Sequence, residues 1–511
     1  MTELTTSPLT SPLPRSVTPA RRIASAASRE RCSLRIDGRS EPQAVNLNLA
    51  LLLAYSAALI GIGLWIGRRV RGAKDFFVAG RGLGPGLVFS TLLAANIGAG
   101  STVGATGLGY RDGLAAWWWV GSAGVGSLAL ALWVGPAIRR LAAAHDLRTV
   151  GDYLEMRYGA SVRGIIALLL WVGSLAILAA QLIAIASILN VVAGAPKWIG
   201  CTIGGLLITI YSSAGGLKSG AWVNMVQLTV KLVGFMIALP LALSAVGGWT
   251  AVGAVTVPSA DYWNFWHSGP SGVVYLALLG PSFVVSPGLL QKLYGARDDR
   301  AVRLGVGFNA AGLLLYAIIP VVLGMIARVR FPQLATPDLA LPMILMYGLP
   351  AAVGTLGLAA VFSAELSAAD AVLFMLTTSL SQDLYKRFVN PAAGEARVLT
   401  VARWTTIAAG AIGTALAIAS PSVISALEVF YTLLGVSLFV PVVAGLYVKR
   451  AGTREALAAM AAGVGGTLAV QVITGGKGYG SLTPALVGLI AAAAAGALVL
   501  LLPKSRTPAV R

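Results

Sequence analysis

The chain has 511 residues, of which 57% are hydrophobic and 11% are charged, and its formal net charge is +19. A soluble protein of this length would carry about 25% charged residues. Uncharged apolar stretches such as residues 165–193 and 485–502 are long enough to cross a bilayer. The composition therefore predicts a polytopic membrane protein. Because the basic residues gather in the tail and in short loops, they indicate topology rather than nucleic-acid binding.

In chain order, residues 1–43 come first, a tail rich in Ser, Pro and Arg that predicts disorder. Thirteen apolar spans are predicted after it, near residues 45–67, 85–108, 114–138, 161–193, 196–212, 220–247, 270–293, 302–327, 340–380, 399–419, 424–447, 456–475 and 481–502. The ninth is too long for one helix. We expect its membrane core at 355–380, an outer segment at 340–350 and a cytoplasmic extension at 381–389.

Lysine and arginine recur in every second loop, whereas most of the loops between are poor in them. Lys292 is counted with the seventh loop, which is one of the basic ones. By the positive-inside rule the odd-numbered loops are cytoplasmic, the N-terminus is outside and the C-terminus is inside. The arginines of the N-terminal tail contradict this orientation locally, but the later loops outnumber them. We expect the chain in the plasma membrane, as in the inner membrane of a bacterial cell.

Two of the spans are interrupted by residues that break helices. The second span contains Asn-Ile-Gly-Ala-Gly-Ser-Thr at residues 96–102, and the seventh contains Pro287 and Gly288. Each interior Gly costs a helix about 1 kcal/mol relative to Ala. Unwound backbone is tolerated at bilayer depth only where protein or a water-filled cavity receives its polar groups. Two breaks at matching positions predict an inverted-repeat transporter with a binding site between them.

Five segments together carry a family resemblance. They are Asp75-Phe-Phe-Val-Ala-Gly-Arg81, the first break, residues 211–218 with 222–227, the second break with 291–296, and residues 362–386. Over residues 45–450 the chain resembles the sodium:solute symporter family, which includes bacterial proline and galactose transporters. The resemblance implies an all-α, leucine-transporter-type fold in which a five-plus-five inverted repeat has one helix before it and two after.

The resemblance also divides the chain into parts. They are the disordered tail 1–43, a leading helix with its cytoplasmic loop at 44–84, the transport core at 85–447, two C-terminal helices at 448–503 and a cytoplasmic tail at 504–511. No cofactor and no obligatory protein partner are predicted. The expected partners are a small-molecule solute, the lipid bilayer and a coupling ion.

In the family a sodium ion lies between the first broken helix and the eighth core helix. The resemblance implies four oxygen ligands here, the carbonyls of Ala94, Ile97 and Ala364 and the hydroxyl of Ser367. Neutral oxygens suit a hard cation. The family pattern is incomplete, because Ala368 replaces a second hydroxyl and Asn224, preceded by Val223, replaces an aspartate.

Three residues are candidates for coupling: Asp370, Glu365 and Asn224. An ionisable group within a span is a functional candidate by default, although a structural hydrogen bond or a pairing with a neighbouring helix is the alternative. Helix periodicity sets Asp370 about 60° and Glu365 about 160° from Ser367, so we expect Glu365 to face elsewhere. Lys231 either snorkels or pairs with a carboxylate, and the sequence leaves both open.

The solute is expected between the two breaks. Its predicted contacts are Asn96, Gly98, Gly100, Ser101, Ser286, Gln181 and Trp119. Gln181 either faces the site or bonds a neighbouring helix, and Trp119 belongs to a Trp triplet whose members could equally be anchors. Ser101 and Val120 stand where galactose-type members carry polar and acidic side chains, which disfavours a sugar.

These residues predict a secondary active transporter that works by alternating access. The expected solute is a small organic acid, an amino acid or a similar metabolite, and sodium is the expected coupling ion. The alternatives are proton-coupled or uncoupled transport that uses Asp370 or Glu365, and a solute sensor that does not transport. An enzyme is not predicted, because no span carries a nucleophile with a base or a metal cluster.

Overall fold

The computed structural model describes residues 81–212, 216–254, 260–480 and 482–502, together with six isolated residues between 50 and 61. The predicted tails at 1–43 and 504–511 lie outside the described residues. So do most of the predicted first span and of the segment 75–81. The division of the chain into parts therefore stays a prediction.

The described residues are almost wholly helical. The helices are α1 Pro85–Asn96, α2 Ala105–Asp112, α3 Trp117–Ala129, α4 Gly135–Ala144, α5 Val150–Tyr158, α6 Ala160–Ala193, α7 Lys197–Ser212, α8 Gly216–Ala245, α9 Gly248–Gly253, α10 Tyr275–Val285, α11 Pro287–Tyr294, α12 Asp299–Tyr316, α13 Ile318–Arg330, α14 Ala340–Tyr347, α15 Ala351–Thr378, α16 Glu395–Ala419, α17 Val423–Tyr447, α18 Thr453–Thr474 and α19 Pro484–Leu501. Tighter or wider helical turns at Gly100–Gly104, Gly113–Ala116, Leu130–Val134 and Ser379–Val389 extend some of them. A hairpin pairs β1 His267–Ser268 antiparallel with β2 Ser271–Gly272.

Ten helical segments of the described chain are long and apolar enough to cross a membrane. Shorter apolar helices at Pro85–Asn96, Lys197–Ile210 and Pro337–Tyr347 accompany them. The predicted ninth segment is divided as expected, into α14, α15 and the extension Ser379–Val389. Its main helix begins at Ala351 rather than 355, because Pro350 has an extended backbone and ends the preceding turn. The exact count of thirteen spans stays a prediction.

The site is positioned by α15, which is buried along most of its length and is flanked by α6, α8 and α16. Helix α8 packs on α15 and on α1. At Gly234 of α8, a Cβ atom would lie 2.4 Å from the Cβ of Ala360, so the two helices approach closely because the residue is glycine. Small residues are the usual means of close packing between helices in lipid, where hydrophobicity does not drive association.

Candidate functional site

The first break begins where α1 ends, at Asn96. Ile97 leaves the helical region with φ −90° and ψ 88°, and the chain becomes helical again at Gly100. The Ser101 hydroxyl accepts a hydrogen bond from the Gly98 amide at 3.0 Å and lies 2.8 Å from the Asn96 carbonyl, to which it donates. A serine side chain thus replaces backbone partners that the helix would have supplied. The predicted break is confirmed.

Two further side chains hold the broken segment from other helices. Gln181 of α6 accepts a hydrogen bond from the Ala99 amide at 2.8 Å. The Thr102 hydroxyl lies 3.0 Å from the Gly98 carbonyl and 2.6 Å from Oε1 of Glu365. Its single proton serves one of these acceptors at a time. Protein groups therefore receive several of the polar backbone groups that the break frees, as the bilayer environment requires.

The second break is sharper and lies between α10 and α11. Ser286 has φ −53° and ψ 119°, and Pro287 opens α11. Because proline has no amide donor, the helix cannot run through this position with all its hydrogen bonds. The break was predicted from Pro287 and Gly288, and the structure confirms it.

A small cavity of about 80 Å³ lies between the two breaks. All seven predicted solute contacts line it: Asn96, Gly98, Gly100, Ser101, Gln181, Ser286 and Trp119. Trp119 is buried and meets Tyr275 and Tyr431 edge to face, with ring centroids 5.0 and 6.1 Å away. Gln181 both bonds the break and lines the cavity. The structure brings these residues together, and their contact with a solute stays a proposal.

The oxygens predicted for sodium also converge, but around a lysine. Lys231 of α8 is fully buried, and its ammonium lies 2.7 Å from the Ala94 carbonyl, 3.1 Å from the Ile97 carbonyl and 2.7 Å from the Ser367 hydroxyl. The fourth oxygen, the Ala364 carbonyl, lies 3.0 Å from the same hydroxyl. The sequence left Lys231 between snorkelling and pairing with a carboxylate; its ammonium bonds neutral oxygens directly and interacts electrostatically with the carboxylate of Glu365.

A sodium ion does not fit among these oxygens beside the ammonium. The three N–H groups of an ammonium already match three of the four predicted ligands. Two unit positive charges 4 Å apart repel by about 4 kcal/mol at an effective dielectric constant of 20. Three of the four predicted ligands are therefore already bonded to a cation of the chain itself.

Two carboxylates adjoin the breaks. Oε1 of Glu365 faces Thr102, and its Oε2 is buried without a hydrogen-bond partner among the described residues. The expectation that Glu365 faces away from the site of Ser367 is wrong, because both reach the first break. Ser367 contacts Ala94 before it and Glu365 contacts Thr102 after it. The long glutamate side chain overcomes the angular separation on α15.

The other two coupling candidates lie apart from this contact. Asp370 accepts a hydrogen bond from the Ser212 hydroxyl of α7 at 2.7 Å. Asn224 belongs to α8, and its side chain is outside the described part of the structure. Electrostatic interaction links Asp370 with Lys292, and Glu365 with Lys231. Lys231 and Lys292 also repel each other, so the two lysines and two carboxylates around the breaks interact as one group of charges.

Sequence reasoning placed Lys292 in a loop, and this is wrong. Helix α11 runs to Tyr294, so Lys292 is buried in it, lines the cavity and donates to the Thr91 carbonyl at 3.0 Å. Asn309 of α12 was also missed. It accepts a hydrogen bond from the Asn96 amide at 3.0 Å, and its own amide lies 3.2 Å from the Ser127 hydroxyl. Lys292 falls in the family segment 291–296, but that pattern does not reveal burial against Thr91, and no local pattern marks Asn309, because their partners are distant in sequence.

A second charged cluster joins α5, α6 and the extension Ser379–Val389. Arg163, only 8% exposed, lies 2.7 Å from Asp383 and 2.8 Å from both Asp152 and Glu155. Glu155 also bonds Arg387 at 2.6 Å. Burial acts to raise the pKa of Glu155, but the hydrogen bonds from Arg163 and Arg387 outweigh it and hold that pKa below its ordinary value of 4.5. The cluster clamps three elements together.

Known membrane transporters are similar to this chain in sequence and in fold. The model of the sodium:solute symporter family matches residues 76–463. The human sodium/iodide cotransporter is 27% identical over 81% of this chain and 67% of its own length. The Escherichia coli sodium/pantothenate symporter is 27% identical over 83% of this chain and 90% of its own. A solved Na⁺-coupled sialic acid symporter superposes with a TM-score of 0.71 at 19% identity, over 89% of this chain and 97% of that one.

The chain belongs to the sodium:solute symporter family. It has the leucine-transporter-type fold and is a multi-pass membrane transporter rather than an enzyme. Sodium-coupled symport of small solutes by alternating access is the activity that these relationships support. These relationships also support sodium as the coupling ion of this class of transporter.

Proposed function

We propose that this chain carries a small organic acid or an amino acid across the plasma membrane, and that the solute binds in the cavity between the two breaks. The observation that supports this most directly is the lining of the cavity, which contains all seven predicted contacts. Backbone groups at Gly98 and Gly100 and the hydroxyls of Ser101 and Ser286 supply polar contacts. Trp119 supplies an apolar wall. Discontinuous helices that face a shared site are the usual arrangement in inverted-repeat transporters.

Lys292 favours a solute with a carboxylate. Its ammonium is buried, lines the cavity and has one hydrogen bond among the described residues, to the Thr91 carbonyl. An ammonium has three donors, so two remain for a solute. A buried cation is stabilised by an opposite charge, and Asp370 interacts with it only electrostatically in the structure. A carboxylate in the cavity would complete its surroundings.

The test is uptake of radiolabelled organic acids and amino acids by proteoliposomes that contain the full chain. Each solute is measured under a sodium gradient, under a proton gradient and with neither, which separates sodium coupling from the proton-coupled and uncoupled alternatives. We expect saturable uptake of a carboxylate-bearing solute, with Lys292→Gln weakening its binding by about 10- to 100-fold, since a charge-assisted hydrogen bond contributes about 1.5–3 kcal/mol.

Lys477→Ala, which removes an exposed lysine of a distant loop, is the matched control and should not change affinity. Saturable uptake of neutral solutes with no effect of Lys292→Gln would contradict the carboxylate preference. Solute binding without flux under any gradient would instead favour the sensor.

A further inference from the structure

Lys231 is a cation that the chain itself supplies to the first break. Its side chain extends from α8 and is fully buried. Its ammonium has three donors, and three acceptors lie within hydrogen-bond distance of it: the carbonyls of Ala94 and Ile97 and the hydroxyl of Ser367. No donor of this ammonium is left over, so the contact is a complete binding site with the cation already in place.

The ammonium joins the same two elements that an ion would join. Ala94 and Ile97 belong to the end of α1 and the start of the unwound segment, and Ser367 belongs to α15. Ser367 also lies 2.9 Å from the Ala94 carbonyl. A positive charge at this point satisfies carbonyls that the break leaves without helical partners. The chain supplies this positive charge on a side chain of α8 and does not take up an ion from solution for it.

Position 368 is consistent with a site built for lysine rather than for sodium. The resemblance placed a second hydroxyl ligand there, and this chain has Ala368, which has no oxygen to offer a metal ion. An ammonium with three donors needs no fourth or fifth ligand, so the loss of that hydroxyl leaves it fully bonded. The neighbouring charge is consistent with a lysine here, because the buried carboxylate of Glu365 interacts with Lys231 electrostatically.

We propose that the Lys231 ammonium is a tethered cation that takes the place of the sodium ion between the first break and α15, so that this site does not bind sodium. The inference rests on the proposed function only in treating the break as part of the transport site. It adds to that function the identity of the cation that occupies the site between the first break and α15. Because Lys231 cannot leave the chain, no sodium ion crosses the membrane by way of these oxygens.

The test is thermal unfolding of the detergent-purified full chain in sodium chloride, potassium chloride and N-methylglucamine chloride at equal ionic strength. For the natural chain we expect Ser367→Ala to leave any difference between the three salts unchanged, because sodium bound elsewhere would not use these oxygens. Lys231→Ala frees the three oxygens that the ammonium bonds, and its midpoint should rise saturably with sodium alone. The double variant Lys231→Ala, Ser367→Ala should lose that rise. Lys477→Ala is the control for loss of a lysine and should behave like the natural chain.

A saturable sodium-specific rise in the natural chain that Ser367→Ala abolishes would overturn the proposal. A folded Lys231→Ala protein that gains no sodium response would also overturn it. If Lys231→Ala does not fold, Lys231→Ser replaces it, since a hydroxyl keeps one bond to the carbonyls. No solute enters these measurements, so a failure to find a transported solute and a failure of the tethered-cation proposal are separate results.

Discussion

Single side chains determine whether the first break can persist inside a bilayer. Ser101 bonds both sides of the unwound turn, and Gln181 reaches it from α6. An unsatisfied backbone group at this depth costs several kcal/mol. Side chains such as Ser101 and Gln181 thus stabilise the break, and each of them can be substituted to measure its contribution.

Gln181→Leu should destabilise the chain by about 1–3 kcal/mol, because it leaves the buried Ala99 amide without an acceptor. The measurement is the thermal midpoint in detergent. Ser187→Ala is the control on the same helix, since among the described residues the Ser187 hydroxyl bonds only the Ile183 carbonyl of its own helix. An unchanged midpoint for Gln181→Leu would mean that another acceptor replaces Gln181.

For single residues, the sequence predicts those features that depend on residues adjacent in the chain. Both breaks were predicted from Gly, Pro and Asn, because those residues weaken a helix where they stand. The partners of Lys231 are 134 to 137 residues away, so no local pattern could assign it. Three of the four oxygens predicted as sodium ligands lie around this ammonium, which was not foreseen there, and their role as sodium ligands stays a prediction.

Between elements, the close approach of the first break to α15 depends on one glycine. A Cβ atom on Gly98 would lie 2.4 Å from the Cβ of Ala368 and 2.8 Å from Oε1 of Gln181. The Cβ of Ala368 is attached directly to the backbone of α15, so it cannot move unless the helix moves. The break and α15 therefore fit together only with glycine at this position.

Gly98→Ala should lower the yield of folded protein and the thermal midpoint, because α15 and the broken segment must separate. Gly86→Ala is the matched control, since it lies in α1 with no atom within 4 Å of the added Cβ. The control should be neutral, or more stable by up to about 1 kcal/mol through helix propensity. Equal midpoints for the two variants would show that the contact at Gly98 relaxes freely.

The Arg163 cluster should contribute strongly to stability. Arg163→Met leaves the buried Asp383 without its cation, and breaking a buried ion pair in this way costs about 3–5 kcal/mol. Arg140→Ala is the comparison, because Arg140 is 64% exposed and its ion pair with Asp299 contributes at most about 1 kcal/mol. Thermal midpoints of the two variants in the same detergent measure the difference. Similar losses for both would contradict the clamp.

Acid should weaken the same cluster. The pKa of Glu155 is lower in the folded chain than its ordinary 4.5, so its contribution to stability is present above that value and is lost as the pH falls through the folded pKa. We expect the thermal midpoint to fall more steeply below pH 4.5 in the natural chain than in Glu155→Gln. Parallel curves for the two proteins would show that Glu155 does not carry this dependence.

Element boundaries were predictable where composition changes abruptly. The division of residues 340–389 into an outer helix, a main span and an extension follows from Pro350 and from the polar residues after 378. The placement of Lys292 in a loop failed for the opposite reason. The predicted seventh span already reached residue 293, and Lys292 was counted with the loop because of its charge alone, whereas tertiary contacts bury that charge within α11.

On the scale of the whole molecule, the orientation in the membrane stays a prediction from loop charge. The N-terminus is expected outside and the C-terminus inside. In a chain with Cys32→Ser and Cys201→Ala, a membrane-impermeant maleimide applied to intact cells should label Lys477→Cys and should not label Lys449→Cys. Permeabilised cells provide the control, in which both react. The reverse pattern in intact cells would invert the topology.

The buried lysine of α8 also has a consequence for biosynthesis. A lysine at the centre of a helix raises the cost of membrane insertion by about 3 kcal/mol. The Ala94 and Ile97 carbonyls are synthesised before Lys231, but the Ser367 hydroxyl follows 136 residues later. We therefore expect helix α8 to enter the bilayer with an incompletely bonded ammonium and to be fully bonded only after α15 has been inserted, which would link the assembly of the two halves.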